Sequence, residues 1–353
     1  MYSLPVSGLS RRAAQRGSAL LMVIFLITTL YMIVYAMHSI VKHDVDLAIS
    51  QKQAFRARQV AEIGINWAMN PAVKPYDRDI LDGVLKDGAT YSVKIRGEGG
   101  RININAWLQM PEETGGEVVK RLFTRWLAPL EAQGGVSIND LAEDLYDKMR
   151  DWTDADSDTR THGAEKENYI SEFGYGENTP YPFNRPFYSL DEMLLVPGFD
   201  LIAANLPDWR DYFTIYSGAG GKAPLDLDAA EAKVIAALAL ALEGSGDPAD
   251  IHKWEDALET AQELVEFRWS ADGIEDTQDD EKVPVDLAQD NLLQITGDSP
   301  LVPFTEAFGT GDQTVHIECV ATVGDYRKRV VLIVRGRNGL PQILSREEVP
   351  LFQ

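Results

Sequence analysis

The sequence holds a single cysteine, Cys319, among 353 residues. No intrachain disulfide can form, and cysteine usage does not assign the chain to an oxidising or reducing compartment. Cys319 sits in the alternating run Val315-His316-Ile317-Glu318-Cys319-Val320, where a free cysteine reads as a small buried apolar residue. Catalytic patterns are missing too. There is no G-x-S-x-G, P-loop, HExxH or CxxC, and no G-x-G-x-x-G followed by an acidic partner. The five histidines are scattered, with none at a recognisable spacing from a nucleophile or a metal partner. Bases are scarce: 33 Lys and Arg face 55 Asp and Glu, a formal charge of -22. That balance repels nucleic acid and anionic headgroups and is compatible with binding cations. Acids, in turn, are absent before Asp44, and no proline interrupts residues 18–70.

What fills the acid-free stretch is basic, then apolar. Arg11, Arg12 and Arg16 precede an uncharged run over residues 18–37. As a helix this run is about 30 Å long, enough to cross a bilayer core. The preceding bases keep the amino terminus cytoplasmic and send the rest across. A cleaved secretory signal would have a shorter apolar region with a small-x-small site after it, and an ordinary anchor would need no particular sequence before the span. Arg16-Gly17-Ser18-Ala19-Leu20-Leu21 fits a third pattern, a prepilin leader cut ahead of the apolar run. Beyond the span, Leu47, Phe55, Val60, Ile63, Trp67 and Met69 continue at roughly helical spacing until Pro71. The spacing predicts one helix over residues 18–70, about 80 Å long, whose second half needs a folded body to pack against.

The body has strand signals at both ends. Thr90-Tyr-Ser-Val-Lys-Ile-Arg96 alternates and is expected to pair with Arg101-Ile-Asn-Ile-Asn105 across Gly97-Glu-Gly-Gly100. Residues 314–322 and 327–335 form a second pair around Gly324-Asp325. Helical signals lie between. Val118, Val119, Leu122, Phe123, Trp126, Leu127 and Leu130 make one apolar stripe, and Ile138, Leu141, Leu145, Met149 and Trp152 another; both read as core. Further helices are expected over 229–242, capped by Asp228, and over 252–269. Ser189-Leu-Asp-Glu192 reads as a capping box opening a short helix to Val196, followed by a Pro197-Gly198 turn. That outline resembles a helix-hairpin-helix, but Asp191, Glu192, Asp200 and Asp208 surround it, so contact with a nucleic-acid backbone is not expected. The expected fold is α+β: a long N-terminal helix on a small antiparallel sheet, with a large α-helical domain inserted between early and late strands. Its parts are a leader (1–17), the helix (18–70, membrane-spanning over 18–38), a first sheet portion (71–110), the inserted domain (111–300), a second sheet portion (301–345) and a tail (346–353).

The most specific local feature is Asp151-Trp-Thr-Asp154-Ala-Asp156-Ser-Asp158, followed by Gly163, Glu165, Glu167 and Asn168. Carboxylates at alternate loop positions can converge on one hard cation, and a cluster this dense repels itself without one. Asp154, Asp156 and Asp158 match the first half of an EF-hand ligand pattern. The second half departs from it: no glycine flanks Asp158, and Glu165 is wrongly spaced for the bidentate position. The reading is a calcium site of different geometry, set against a solvated acidic loop. A second run, Asp272, Glu275, Asp276, Asp279, Asp280 and Glu281, reads as a solvated loop, with a second cation site as the alternative.

Taken together, several segments resemble the protein K family of bacterial type II secretion systems, which are minor pseudopilins of the general secretion pathway. They are Arg16 to Leu21, Phe55-Arg-Ala-Arg-Gln-Val-Ala-Glu-Ile-Gly64, Gly100-Arg-Ile-Asn-Ile-Asn105, Asp151 to Asp156 with Gly163-Ala-Glu165 and Tyr169, and Asn184-Arg-Pro-Phe-Tyr-Ser-Leu-Asp-Glu-Met-Leu-Leu-Val-Pro-Gly198. Leu225-Asp-Leu-Asp228 departs from the family, where Asn is expected. The resemblance implies a pilin-like body with a helical insertion, and cleavage after Gly17 by the prepilin peptidase with methylation of Ser18. It implies one or two calcium ions in the helical domain, with ligand roles for Asp154, Asp156, Asp158 and Glu165. It further implies an inner-membrane anchor in contact with lipid, a periplasmic body, and a complex with minor pseudopilins I and J at the tip of the pseudopilus. Most pilins carry Glu at the fifth mature position, here Met22. A carboxylate in hydrocarbon is costly unless paired, so Met22 suits a subunit with nothing ahead of it. The competing expectations are a minor pilin of a type IV pilus, which would lack the insertion and the 184–198 segment, and a membrane-tethered periplasmic metal-dependent enzyme.

Overall fold

Sixty residues without a proline produce the dominant element, helix α1 (Ser10–Met69), 60 residues long. The computed structural model describes residues 10–131, 137–218, 223–270 and 273–351, without the side chains of residues 10–18 and Pro350. The helix begins upstream of residue 18, where the sequence placed its start, so the end of the basic leader is continuous with the span. The apolar window of the segment Ala19–Met69 is 0% buried among the described residues. The second half of α1 lies on a sheet. Val60 and Ala61, then Ile65 and Ala68 three to four residues further on each time, form one face that packs against Val93, Ile95, Ile317, Cys319, Ala321, Val330, Leu332 and Val334. Gly64 permits the closest approach: a Cβ there would sit 2.9 Å from Cys319 Sγ and 2.8 Å from Val93 Cγ2. Arg337, 8% exposed, donates to the carbonyls of Ala68, Asn70 and Val73 and so closes the carboxyl end of α1.

After the short helix α2 (Arg78–Leu81), β1 (Asp82–Val84) and β2 (Thr90–Gly97) begin a five-stranded antiparallel sheet. Its order is β1-β2-β7-β8-β9, completed by β7 (Thr314–Val323), β8 (Tyr326–Arg335) and β9 (Gln342–Leu351). Strict alternation fixes its register: Val93 faces Cys319, and Cys319 faces Val330, all on the buried side. Two expectations fail here. Residues 101–105 do not pair with β2; β2 pairs with β1 and β7. Instead Glu98–Gly100 forms a buried turn that carries the chain out of the sheet, β3 (Ile102–Asn103) pairs in parallel with β4 (Phe213–Thr214), and α3 (Ile104–Gln109) starts at once. The expected tail also differs, because residues 346–351 form the second half of β9, along the free edge of β8.

The helical domain occupies the interval between β2 and β7. It contains α4 (Glu117–Glu131), α5 (Ile138–Thr153), α6 (Lys166–Ser171), α7 (Phe199–Asn205), α8 (Trp209–Tyr212), α9 (Ala232–Leu242), α10 (Ile251–Arg268), α11 (Val285–Thr296) and α12 (Phe304–Ala307). Helix α9 is buried from Val234 to Leu242, and α4, α5, α10 and α11 contribute apolar faces to the core around it. A second parallel pair, β5 (Leu225–Asp226) with β6 (Phe308–Gly309), ties the domain's late segments together. Two local expectations are corrected. Asp228 does not cap α9, which begins after Glu231; its Oδ1 accepts from Val283 N at 3.0 Å. Ser189 makes no capping bond, residues Leu190–Leu195 form a 3-10 helix, and the Glu192 carboxylate accepts from Arg185 at 3.0 and 3.1 Å. The fold as a whole is the one expected: a long N-terminal helix on an antiparallel sheet, with a helical domain between early and late strands.

Candidate metal centre

Helix α5 delivers the acidic motif, and an aromatic cage fixes where it ends. Trp152, fully buried, contacts Tyr169, Tyr181, Phe183 and Phe187 with ring centroids 5.2 to 6.1 Å apart. Asp154 is the residue that terminates α5. The loop then returns to Glu165, which precedes α6 and whose backbone N–H donates to Asn168 Oδ1 at 3.1 Å. A second segment crosses the loop: Arg185 N donates to Trp152 O at 3.2 Å, and Asn184 Nδ2 donates to Asp156 O at 2.5 Å. Gly163 allows the loop to lie on α5, since a Cβ there would fall 1.9 Å from Asp151 Oδ2.

This arrangement buries negative charge, with Arg160 Nε 3.6 Å from Asp151 Oδ1 as a cation beside it. Asp151 is 0% exposed and Glu165 2%. Burial pushes Asp151 up to about 6, even though Arg160 N donates to its Oδ2 at 3.2 Å. Burial, reinforced by the charges of Asp151, Asp154 and Asp156, pushes Glu165 up to about 7. Asp154 is raised as well, by burial and then by Asp156. One buried oxygen on each of Asp151, Asp154, Glu165 and Asn184 has no hydrogen-bond partner. Orphaned buried oxygens are costly, and four of them from one loop and one crossing segment form a donor set of the hard, oxygen-only kind that calcium takes. The residues present therefore fit that ion. Among the described residues no three carboxylate, histidine or cysteine groups are already drawn together tightly enough to hold a metal. Closure onto an ion would require the loop side chains to rotate inward.

The sequence-expected ligands are placed unevenly. Asp154 and Glu165 carry the orphaned oxygens, and Asp156 contributes charge to Glu165 while its own Oδ1 accepts from Asp158 N at 2.9 Å. Asp158 is exposed and shapes the turn through that bond. Asp151 and Asn184 were not among the expected ligands. Asp151 belongs to the motif but lies inside the helix, and Asn184 is remote in sequence, so alternate loop spacing signals neither. His162 stands beside the loop, its Nδ1 2.9 Å from Asp144. In the second acidic run, Asp272 lies outside the described residues; Asp276 pairs with Arg78 at 3.1 Å, and Thr277 donates to Asp279 and Asp280. Gly17 and Ser18 fall in α1, with side chains outside the described part, and Met22 is 76% exposed on the same helix.

Residues 100–205 match the family model described as Type II secretion system (T2SS), protein K. That span starts at the buried turn leaving the sheet and contains the whole Asp151–Asn184 cluster. Among solved structures, a chain of the GspK-GspI-GspJ complex from the enterotoxigenic Escherichia coli Type 2 Secretion System is similar in fold. Its TM-score is 0.54 at 12% identity, covering 85% of this chain and 98% of that chain. A search of curated proteins gives no match. The resemblance to type II secretion protein K drawn from the sequence is thereby borne out.

Proposed function

We propose that this chain is a minor pseudopilin of a type II secretion system, anchored in the inner membrane by α1 with its body in the periplasm. In this role it joins minor pseudopilins I and J in the complex at the tip of the pseudopilus and supports export of folded proteins across the outer membrane. It acts by assembly and not by catalysis. The observation that carries the reading is where the family match falls. Residues 100–205 lie within the helical insertion, which the competing type IV pilin reading would not contain. The exposed side of α1 supports a partner: beyond the apolar span, Phe55 is 64% and Trp67 46% exposed. Met22 keeps that span free of a carboxylate, as suits a subunit with none ahead of it.

In the same reading the prepilin peptidase cuts after Gly17, and Ser18 becomes the methylated amino terminus. Calcium is held by Asp151, Asp154, Glu165 and Asn184, with Asp156 and Asp158 shaping the loop. The ion supplies the positive charge that the buried oxygens lack, and so locks α5, α6 and the segment around Asn184 together. Mass spectrometry of the membrane-extracted protein tests the first part: a terminus at Ser18 is expected, and an intact Met1 or a cut beyond the apolar run would overturn it. Co-purification of the full chain with pseudopilins I and J tests the assembly. A chain that ignores both, while hydrolysing a periplasmic substrate in a metal-dependent way, would favour the enzyme reading.

A further inference from the structure

The turn that joins β8 to β9 holds Asn338-Gly339, and no other asparagine of the chain is followed by glycine. Asn338 and Gly339 are exposed, and Leu340 beside them is 95% exposed. The Asn338 side chain makes no hydrogen bond among the described residues. Gly339 N donates to Gly336 O at 2.9 Å and closes the turn, with Gly336 in the left-handed region at φ 68°.

This pair is placed to react with itself. The Asn338 carboxamide is free to rotate in water. Residue 339 has no Cβ to shield its own nitrogen from the Cγ of Asn338. The hydrogen bond that occupies that nitrogen lies on an exposed turn, and bonds of that kind open at little cost. The surroundings do not demand the glycine, because a Cβ on residue 339 would meet only Gly336 O, at 4.0 Å.

We propose that Asn338 is a site of spontaneous deamidation. The backbone nitrogen of Gly339 attacks Cγ of Asn338. A C–N bond forms, and the side-chain nitrogen leaves as ammonia, carrying the proton that Gly339 N gives up. Water then opens the five-membered imide at either carbonyl, which yields aspartate or isoaspartate. No enzyme, metal or oxidant takes part. Both products place a negative charge next to Arg337, and isoaspartate also inserts one carbon into the backbone there. Arg337 closes the carboxyl end of α1 through Ala68, Asn70 and Val73, so the reaction ages the joint between α1 and the sheet. The proposal stands whether or not the chain is a pseudopilin.

The test incubates the full chain in a non-ionic detergent at mildly alkaline pH. Mass spectrometry follows the fragment released by cleavage after Lys328, residues 329–353. The expected result is a gain of one mass unit located at residue 338, with electron-transfer fragmentation showing both aspartate and isoaspartate there. Gly339→Ala, which the turn accommodates, should slow the gain about tenfold, or about 1.4 kcal/mol in the barrier. The aged parent should also melt below Gly339→Ala aged beside it, since the parent alone accumulates isoaspartate after Arg337. An unchanged mass at residue 338 overturns the proposal and would mean that the bond to Gly336 O keeps the nitrogen from attacking. Equal rates in parent and variant overturn it as well, and equal melting after ageing would overturn the effect on the joint.

Discussion

Glu348, on the sheet, lies 2.6 Å from Lys328 and 2.8 Å from Arg346, whereas Glu165, in the helical domain, is surrounded by the charges of Asp151, Asp154 and Asp156. The consequences are opposite. Lys328 and Arg346 hold Glu348 down at about 2, and burial with like charges drives Glu165 up to about 7. Glu98 shows that burial alone does not decide this. It is 2% exposed, yet His316, Arg101 and Thr214 outweigh its desolvation and lower it. The sheet carboxylates therefore have cations in hydrogen-bond contact, while in the insertion Asp151 has Arg160 at 3.6 Å and Glu165 is surrounded by like charges.

The largest effect should come from supplying or withholding calcium. With calcium at a thousandfold excess over its dissociation constant, stabilisation is about 4 kcal/mol, on the order of 10 °C in the melting temperature for a domain of this size. Glu165→Gln should abolish most of this gain and yet melt higher than the parent in EGTA, because it removes a buried charge that has no cation. A variant that melts lower in both conditions would show that Glu165 is held by protein contacts, and the contrast with Glu348 would collapse.

Acidity should separate the two regions next. Glu165 and Asp151 take up protons more readily folded than unfolded, so each contributes stability that is full below about pH 4 and is lost as pH rises through about 6 to 7. In EGTA the protein should be more stable at pH 5 than at pH 8 by on the order of a few kcal/mol, since each tenfold gain in a group's proton affinity on folding is worth about 1.4 kcal/mol. Calcium competes with those protons, so in its presence the trend should reverse. Glu348 works the other way: its contribution is present above its unfolded value of 4.5 and is lost as pH falls through about 2. Equal melting temperatures at pH 5 and pH 8 in EGTA would remove the claim of uncompensated charge.

The helical framework was legible because apolar spacing in α4, α5 and α10 records burial directly, and alternation in β2, β7 and β8 does the same for the sheet. The errors fall where partners are distant in sequence. Residues 101–105 alternate like a strand, but β2 already has β1 and β7 on its two sides; Ile102–Asn103 pairs with β4 instead and Ile104 opens α3. Arg337 reads as an ordinary surface base until the end of α1 is beside it. At the acidic loop, alternate spacing marks Asp154, Asp156 and Asp158 but gives no sign of Asn184, whose position depends on the aromatic cage around Trp152.

On the sheet side, Glu98→Gln should cost about 2 kcal/mol. It leaves the buried Thr214 and His316 without a charged acceptor and unpairs Arg101. The loss should be equal with and without calcium, as read from denaturant midpoints in both conditions. A cost that appears only in EGTA would mean the two regions are coupled through the turn at Glu98–Gly100 and are not independent.

The smallest effect belongs to Glu348→Gln. Its carboxylate is 23% exposed, Lys328 is 16% and Arg346 31% exposed, so solvent screens the interaction and its strongly lowered protonation overstates what it contributes. About 1 kcal/mol is expected, falling at high salt because the pairs are partly wet. Calcium should leave it untouched, and near pH 2 the variant and parent should converge, since the parent's own carboxylate is then being protonated. Arg346 also bonds Glu62 on α1, so it keeps one partner in the variant, which limits the loss further. If Glu348→Gln instead cost several kcal/mol, the sheet carboxylates would be as consequential as those of the loop. The difference between the two regions would then lie in the sign of their surroundings alone and not in how much of the fold depends on them.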